Sequence, residues 1–357
     1  MENILQSLQT LTQNGRSQNY YSAAQLVITE KNHTLFQTAV GTTKSSQSPH
    51  SPVPTANIQH DSLFDIASLT KPLATSALMM IAVDEHRISL SQKLISINGI
   101  HVPSWMLEYT VADLLSHHTP LKPLLDLHGP TPRIEDHRSA RNYAERQILE
   151  SSPRDDDASW CYSDLGFILL GFILETLYNT QLEKLFRDKI ASPLQLDTQM
   201  MFCPLHHVDQ RTIVATSLCC NTPLQGHPDD ANARALTHQA GHAGLFASAQ
   251  AIATFVQSLF NGRFPCSKNT IQTFLSYHHA QTPFALGWDR PTSSLSLSAR
   301  TPGDPVLGHL GYTGCSLWID LDSQRSVTFL TNRTHCNNDP HSIAELRRQI
   351  MRLSWSI

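Results

Sequence analysis

The 357 residues carry a formal charge of −4 and an isoelectric point near 6.5, with 40% hydrophobic and 16% charged side chains, enough apolar material for one large domain or two. The 26 Lys and Arg residues are scattered along the chain, so no basic stripe is present to neutralise phosphates and nucleic acid is excluded as a partner. No stretch reaches the ~18 consecutive apolar residues of a membrane span.

Ile4, Leu5, Leu8 and Leu11 recur at helical spacing and predict an opening helix. Residues 23–29 and 34–41 read as two strands around the turn Lys31-Asn32-His33. The Ser- and Pro-rich residues 44–61 read as an irregular connection. A strand-like Leu63-Phe64-Asp65-Ile66 then leads to a dense, Ala-rich apolar run over 72–86 that predicts a buried helix. Helical patterns follow at 111–116, 142–149, 166–178, 182–190 and 249–259. Strand character returns only near the end, at 317–320 and 327–331, and a basic-faced helix over 342–353 closes the chain. This order predicts an α+β fold, an antiparallel sheet built from both chain ends and flanked by helices, with a mostly helical subdomain inserted in the middle. Residues 1–357 then form one domain, with 1–70 plus 240–357 as its α/β part and 71–239 as its helical part.

The opening MENILQSLQTLTQNGRSQN lacks the basic start, apolar stretch and small-residue cleavage site of a secretory leader. The seven cysteines are odd in number and lack zinc-ligand spacing, and the adjacent Cys219-Cys220 is not a C-x-x-C motif. Both features point to a reduced, cytoplasmic setting, an expectation that a leaderless form of an exported protein would share.

Ser68-Leu69-Thr70-Lys71 sits between the strand-like run and the Ala-rich helix. Residues three apart share a helical face, so the Lys71 amine can reach the Ser68 hydroxyl and act as the base that a serine nucleophile needs. A serine at a helix N-terminus also places free backbone N–H groups beside developing negative charge. Of the eight lysines, only Lys71 has a serine three residues before it. The plainer reading is that Ser68 caps the helix and Lys71 is solvated. Tyr162-Ser163-Asp164 precedes the apolar run at 167–174, where Asp164 reads equally well as a helix cap. Gly308-His309-Leu310-Gly311-Tyr312-Thr313-Gly314 leads into the strand-like 315–320, and its three glycines suit either a tight turn or a backbone that something must approach closely.

The order Ser-x-x-Lys, Tyr-x-Asp, His-x-Gly resembles the motif set of serine β-lactamases and penicillin-binding proteins, in particular the class C β-lactamase and esterase-like branch. The similarity extends to FDIASLTKPLATSALMM, TVADLLSHHTPL, WCYSDLGFILLG, ASPLQLDTQMMF, DDANARALTHQAGHAGLFASA, LGHLGYTGCSLWIDL and FLTNRTHCNNDP, in that order over about residues 62 to 340. The resemblance implies that Ser68 attacks a carbonyl to form an acyl-enzyme while Lys71 and Tyr162 share the proton transfers. It implies an oxyanion hole from the N–H groups of Ser68 and Tyr312, the latter set by Gly311. Asp164 stands where the family often has Asn and would hydrogen-bond Lys71 or a substrate amide; as a carboxylate it favours the charged lysine. His309 stands where many relatives carry a lysine that helps hold a substrate carboxylate, and a histidine is only partly charged at neutral pH. Ester or amide substrates lacking a carboxylate are therefore expected alongside cell-wall-derived peptides and β-lactams. Pro120 replaces a glycine of the relatives' His-Thr-Ser-Gly, which alters the loop. The stretch carrying His242 and Gly244 is implied to form a cleft wall, with packing an equal role for His242.

The histidine pairs at 117–118, 206–207 and 278–279 lack a two-His-plus-carboxylate pattern at helical spacing, and no metal or organic cofactor is expected. The expected partner is a small-molecule or peptide substrate; oligomeric state is open. The alternative from another class is a non-catalytic binding or sensor protein that keeps the fold, whose signature would be loss of Ser68, Lys71 or Tyr162; all three are present. Purely architectural similarity would instead leave Ser68 with ordinary reactivity.

Overall fold

The computed structural model describes residues 2–45, 53–128, 136–219, 222–293, 296–336, 341 and 343–357. The centre of the Ser- and Pro-rich connection, residues 129–135, Cys220, the end of the FLTNRTHCNNDP block and residue 342 of the last predicted helix lie outside the described residues. The chain begins with α1 (Glu2–Ser17), β1 (Ala23–Glu30), β2 (His33–Gly41) and β3 (Phe64–Asp65). A 3-10 turn (Ala67–Leu69), a π-helical segment (Lys71–Ser76) and α2 (Ala77–Asp84) then run nearly end to end. Next come α3 (Val111–Leu115), α4 (His137–Glu150), α5 (Asp164–Tyr178), α6 (Leu182–Phe186) and α7 (Ser192–Leu194). These lead to β4 (Met200–Phe202), β5 (Ala215–Cys219), β6 (Thr222–Gln225), α8 (Ala231–Ala235) and β7 (Leu245–Ala247). The chain ends with α9 (Ala249–Asn261), α10 (Lys268–Ser276), β8 (Val306–Leu310), β9 (Ser316–Asp320), β10 (Arg325–Thr331) and α11 (Ala344–Trp355).

Five strands pair antiparallel in the order β2-β1-β10-β9-β8. The predicted α+β arrangement is therefore observed: β1 lies against β10 from Ala24↔Thr331 to Glu30↔Arg325, joining the two chain ends. Alternation along β1 sorts side chains to opposite faces. Leu26 and Ile28 pack with Trp318, Phe329, Leu8 of α1 and Ile350 of α11 on one face. Val27 packs with Leu317, Leu330 and the large central core on the other. Full burial of each such aliphatic side chain stabilises by about 1.5–3 kcal/mol, so the terminal helices are anchored through the sheet they cover.

Helix α5 is buried on every side from Leu165 to Glu175, as expected of a helix whose apolar residues encircle it. Among the described residues, no single helix is long and apolar enough to cross a membrane.

The structure corrects three expectations. Strand character does not wait for the chain's end, since β3, β7 and β4 form a second small sheet and β5 and β6 a hairpin; two- to five-residue strands are too short to show a period. Gly308-His309-Leu310 lies inside strand β8, and α10 was not foreseen. The basic face of α11 is incomplete, because Arg347 turns inward and is buried.

The loop before β7 crosses α5 at two glycines. A Cβ on Gly241 would stand 2.0 Å from Phe167 O and 3.1 Å from Gly171 N, and the Gly241 carbonyl accepts a 2.6 Å hydrogen bond from Thr75 Oγ1. Gly241→Ala must push this loop off α5, and overpacking of this kind costs about 1–3 kcal/mol or more. Urea unfolding should show a lower midpoint for Gly241→Ala; an unchanged midpoint would contradict this packing.

Candidate active site

The turn carrying Ser68 is held under strain. Ala67 takes φ +48°, in the left-handed region, which costs a non-glycine residue about 1–2 kcal/mol. The buried carboxyl of Asp65 secures it, Oδ1 accepting from Ala67 N at 2.9 Å and Oδ2 from Asp229 N at 2.7 Å. Burial pushes that carboxyl up to about 7 although the two N–H donors pull it down. Thr70 on the next turn accepts from Leu245 N through its hydroxyl at 3.1 Å, tying the segment to β7.

Lys71 is completely buried. Its Nζ donates to Ser68 Oγ at 2.9 Å and to the His242 carbonyl at 3.4 Å, and stands 2.8 Å from Asp164 Oδ1. It also lies 4.7 Å from the Tyr162 ring centroid and 5.8 Å from that of Phe167. Burial alone would lower the ammonium pKa, but the Asp164 carboxylate, with Tyr162 acting in the same direction, outweighs it and holds it above the ordinary lysine range. Burial pushes the Tyr162 phenol up to about 12, with Lys71 acting in the opposite sense. Asp164 falls below the usual carboxylate range because Lys71 and His242 together overcome its burial. The resting site thus holds an ammonium, a phenol and a carboxylate. Neither bland reading applies: Ser163, not Asp164, occupies the cap position of α5, Ile66 caps the Ser68 turn, and Lys71 is not solvated.

Tyr162 is fixed by aromatic neighbours, with ring centroids of His117 at 4.6 Å and Phe284 at 6.0 Å. His117 Nδ1 accepts from Ser163 N at 3.1 Å, so the neutral ring carries its proton on Nε2, and burial lowers its pKa well below the usual value. The sequence reading noticed His117 only as half of a histidine pair; its place beneath Tyr162 depends on a contact 45 positions away in the chain.

The segment after β8 docks on the nucleophile turn. A Cβ on Gly311 would meet Ile66 O at 2.6 Å and Leu69 Cδ1 at 3.3 Å, so only glycine allows this approach. Thr313 Oγ1 donates to Asp65 O at 2.8 Å. The Tyr312 N–H has no acceptor among the described residues, as a donor awaiting an oxyanion requires. Arg347, unforeseen from the sequence, reaches in from α11 to donate to Gly314 O at 3.0 Å, Cys315 O at 3.3 Å and Gly311 O at 3.4 Å, and burial lowers its pKa to about 10. Arg333 donates through Nη2 to Tyr312 O and lies 4.8 Å from the Tyr312 ring centroid.

His309 Nδ1 donates to Leu310 O at 2.8 Å, and Nε2 faces Asp289 Oδ1 at 3.7 Å. Burial lowers the His309 pKa against the pull of Asp289, so the imidazole is neutral. His242 Nε2 lies 2.9 Å from Asp230 Oδ1, and Asp230 also caps α8. Gly244 packs its backbone at φ +109°, where a Cβ would stand 2.7 Å from His238 O. Among the described residues, three sets bring ligand atoms close enough for a metal ion: Asp164, Asp230 and His242; Asp113, His118 and His279; and Glu183, Cys203 and His206, in the last of which Glu183 Oε1 already pairs with His207 Nε2 at 2.8 Å. In the first the Lys71 ammonium already neutralises Asp164, which opposes a second cation. In the second Asp113 is engaged with Thr110 in capping α3.

The sequence profile of the Beta-lactamase family matches residues 8–352. The chain is 27% identical over 351 residues to a putative D-alanyl-D-alanine carboxypeptidase of Escherichia coli O157:H7, covering 88% of this chain and 79% of that protein. It is 25% identical over 349 residues to an N-acetylmuramyl-L-alanine amidase of Bacillus subtilis (strain 168), covering 88% of this chain and 78% of that protein. The solved structure of EstCE1, a hydrolase with promiscuous acyltransferase activity, superposes with a TM-score of 0.76 over 99% of both chains at 17% identity, a likeness of fold. With the Ser-x-x-Lys, Tyr-x-Asp and His-x-Gly segments brought to one place in the fold and the profile spanning nearly all of the chain, this protein belongs to the Beta-lactamase family of hydrolases.

Proposed function

We propose that this chain cleaves an amide or ester bond through an acyl-enzyme on Ser68. The observation that carries the proposal is the continuous contact Ser68 Oγ, Lys71 Nζ, Asp164 Oδ1 in a buried setting beside Tyr162. Ser68 Oγ attacks the carbonyl carbon and its proton passes to the Lys71–Tyr162 pair in the form of the enzyme in which that pair has lost one proton. The N–H groups of Ser68 and Tyr312 face the oxyanion. As the tetrahedral intermediate collapses, the bond to the leaving amine or alkoxide breaks and that group takes the proton. Water then attacks the Ser68 ester, giving a carboxylic acid and restoring the serine. Substrates in this reading are small molecules or peptides: cell-wall-derived peptides, in keeping with the carboxypeptidase and amidase names of relatives, β-lactams, in keeping with the family's name, or small esters. In this reading residues 1–70 with 240–357 form one wall of the cleft and 71–239 the other.

Incubation with a fluorophosphonate should add its mass to the intact protein, and Ser68→Ala should abolish the adduct. A parallel incubation with a penicillin separates a penicillin-recognising site from an esterase-like one. Well-folded protein that gives no adduct with either reagent would move the assignment to a non-catalytic binding protein.

Asp164 keeps Lys71 protonated, so a base in this pair becomes available only as pH rises through its elevated pKa. Asp164→Asn keeps the shape and removes the charge. The rising limb of kcat/KM against pH should therefore move to lower pH by about one unit or more, one unit corresponding to ~1.4 kcal/mol of differential interaction. A limb that stays in place would show that Lys71 and Asp164 do not set the base.

A further inference from the structure

Residues 151–163 cross from α4 to α5 as irregular chain, and Tyr162, near the end of that crossing, carries the phenol that lies beside Lys71. The segment that follows α3 meets this crossing residue by residue. His117 O accepts from Cys161 N at 3.1 Å, and His117 Nδ1 accepts from Ser163 N at 3.1 Å. Lys122 O accepts from Ser163 Oγ at 2.6 Å, and Pro123 O from Asp164 N at 2.8 Å. One residue, His117, therefore holds the backbone on both sides of Tyr162, and its ring covers the Tyr162 ring at 4.6 Å with a tilt of 35°.

The clamp is itself fixed. His117 is buried and takes φ +56°, in the left-handed region just past the end of α3, where glycine or asparagine is the usual occupant. Leu115 O accepts from Gly287 N at 2.8 Å and Ser116 O from Thr282 Oγ1 at 2.9 Å. The rings of Phe284 and Phe167 close on the imidazole at 4.7 and 5.1 Å. A costly backbone conformation persists where its surroundings over-determine it in this way. Any residue at 117 would offer the carbonyl, and any aromatic ring could pack on Tyr162. Only a side-chain acceptor supplies the bond to the N–H of buried Ser163, a group that is costly to leave without a partner.

We propose that His117 is a positioning residue of the acyl-transfer site: through its Nδ1 acceptor it fixes the backbone that aims Tyr162 at Lys71. This rests on the serine-hydrolase reading above and adds the group that holds the phenol in place.

Three variants separate the acceptor from the ring. His117→Asn offers an amide oxygen at the place of Nδ1 and suits a left-handed backbone. His117→Gln is equally polar but carries its amide one bond further out, and His117→Phe keeps a ring and loses the acceptor. The second-order rate of fluorophosphonate labelling at Ser68, taken per labelled molecule so that misfolded protein does not count, should fall about tenfold or more in His117→Gln and His117→Phe, the scale set by one buried donor left without a partner. His117→Asn should restore most of that rate. Wild-type rates in His117→Gln and His117→Phe, or a His117→Asn rate as low as that of His117→Phe, would overturn the assignment. NMR of 13C-labelled tyrosine, with Tyr162 assigned through Tyr162→Phe, gives a second measurement that needs no reaction. The Tyr162 signal should be single and narrow in the wild type and His117→Asn, and broadened or split in the other two variants; equally narrow signals in all four proteins would overturn the positioning role. Absence of any fluorophosphonate adduct on wild-type Ser68 would instead remove the hydrolase reading and leave the NMR comparison to decide whether His117 positions Tyr162.

Discussion

The ion pair between Lys71 and Asp164 is the interaction on which the rest of the site depends. A lysine with no exposed surface cannot keep its charge without a partner, and Asp164 supplies one from the first turn of α5. That contact joins the Ser68 segment to the central helix of the molecule. Because the pair is buried, removing one partner typically costs about 3–5 kcal/mol, mostly through the charge left uncompensated. The same carboxylate raises the lysine pKa, so the interaction that secures the architecture also sets the resting protonation state of the chemistry.

Around this pair the backbone is arranged by restraints that converge on one short turn. Asp65 captures the Ala67 N–H, Thr70 is tied to β7, and Gly311 lies against Ile66. Left-handed Ala67 persists because each neighbour over-determines it, which is how local strain is retained at functional positions. Arg347 performs a similar task on the opposite side, where three carbonyls of residues 311–315 converge on one guanidinium. The sheet makes these contacts possible, since β8 delivers the 311–315 segment and β10 brings the chain's end to its beginning.

Much of this was legible in the sequence where the signal is local. The terminal hairpin, the long apolar α5 and the closing helix follow from period and composition, and Ser68 with Lys71 follows from a three-residue spacing. Short strands such as β4 and β7 have no period to read, and their pairing is a matter of distant partners. Arg347 looked like part of a solvated basic face because helical charge pattern does not show which polar residue finds buried carbonyls. The places of His117, Asp230 and Asp289 are not legible for a related reason: each is set by a side chain outside its own local segment. The GHAGLF segment pointed to His242, but the carboxylate that orients it lies in another loop.

The direction of these charges bears on the chemistry itself. A lysine held as an ammonium is a poor acceptor for the Ser68 proton, and a phenol raised to about 12 is protonated at neutral pH. Both groups nevertheless hold a proton that can be returned to a departing amine, whose expulsion requires one. Proton transfer from Ser68 costs more with such a pair, and since a raised pKa also makes each group a weaker acid, the help at leaving-group departure comes from a proton already in position. An amide has the poorer leaving group and gains most from that help, whereas an activated ester gains little. What Asp164 contributes to the proposed reaction is therefore a proton held beside Ser68 before the leaving group departs.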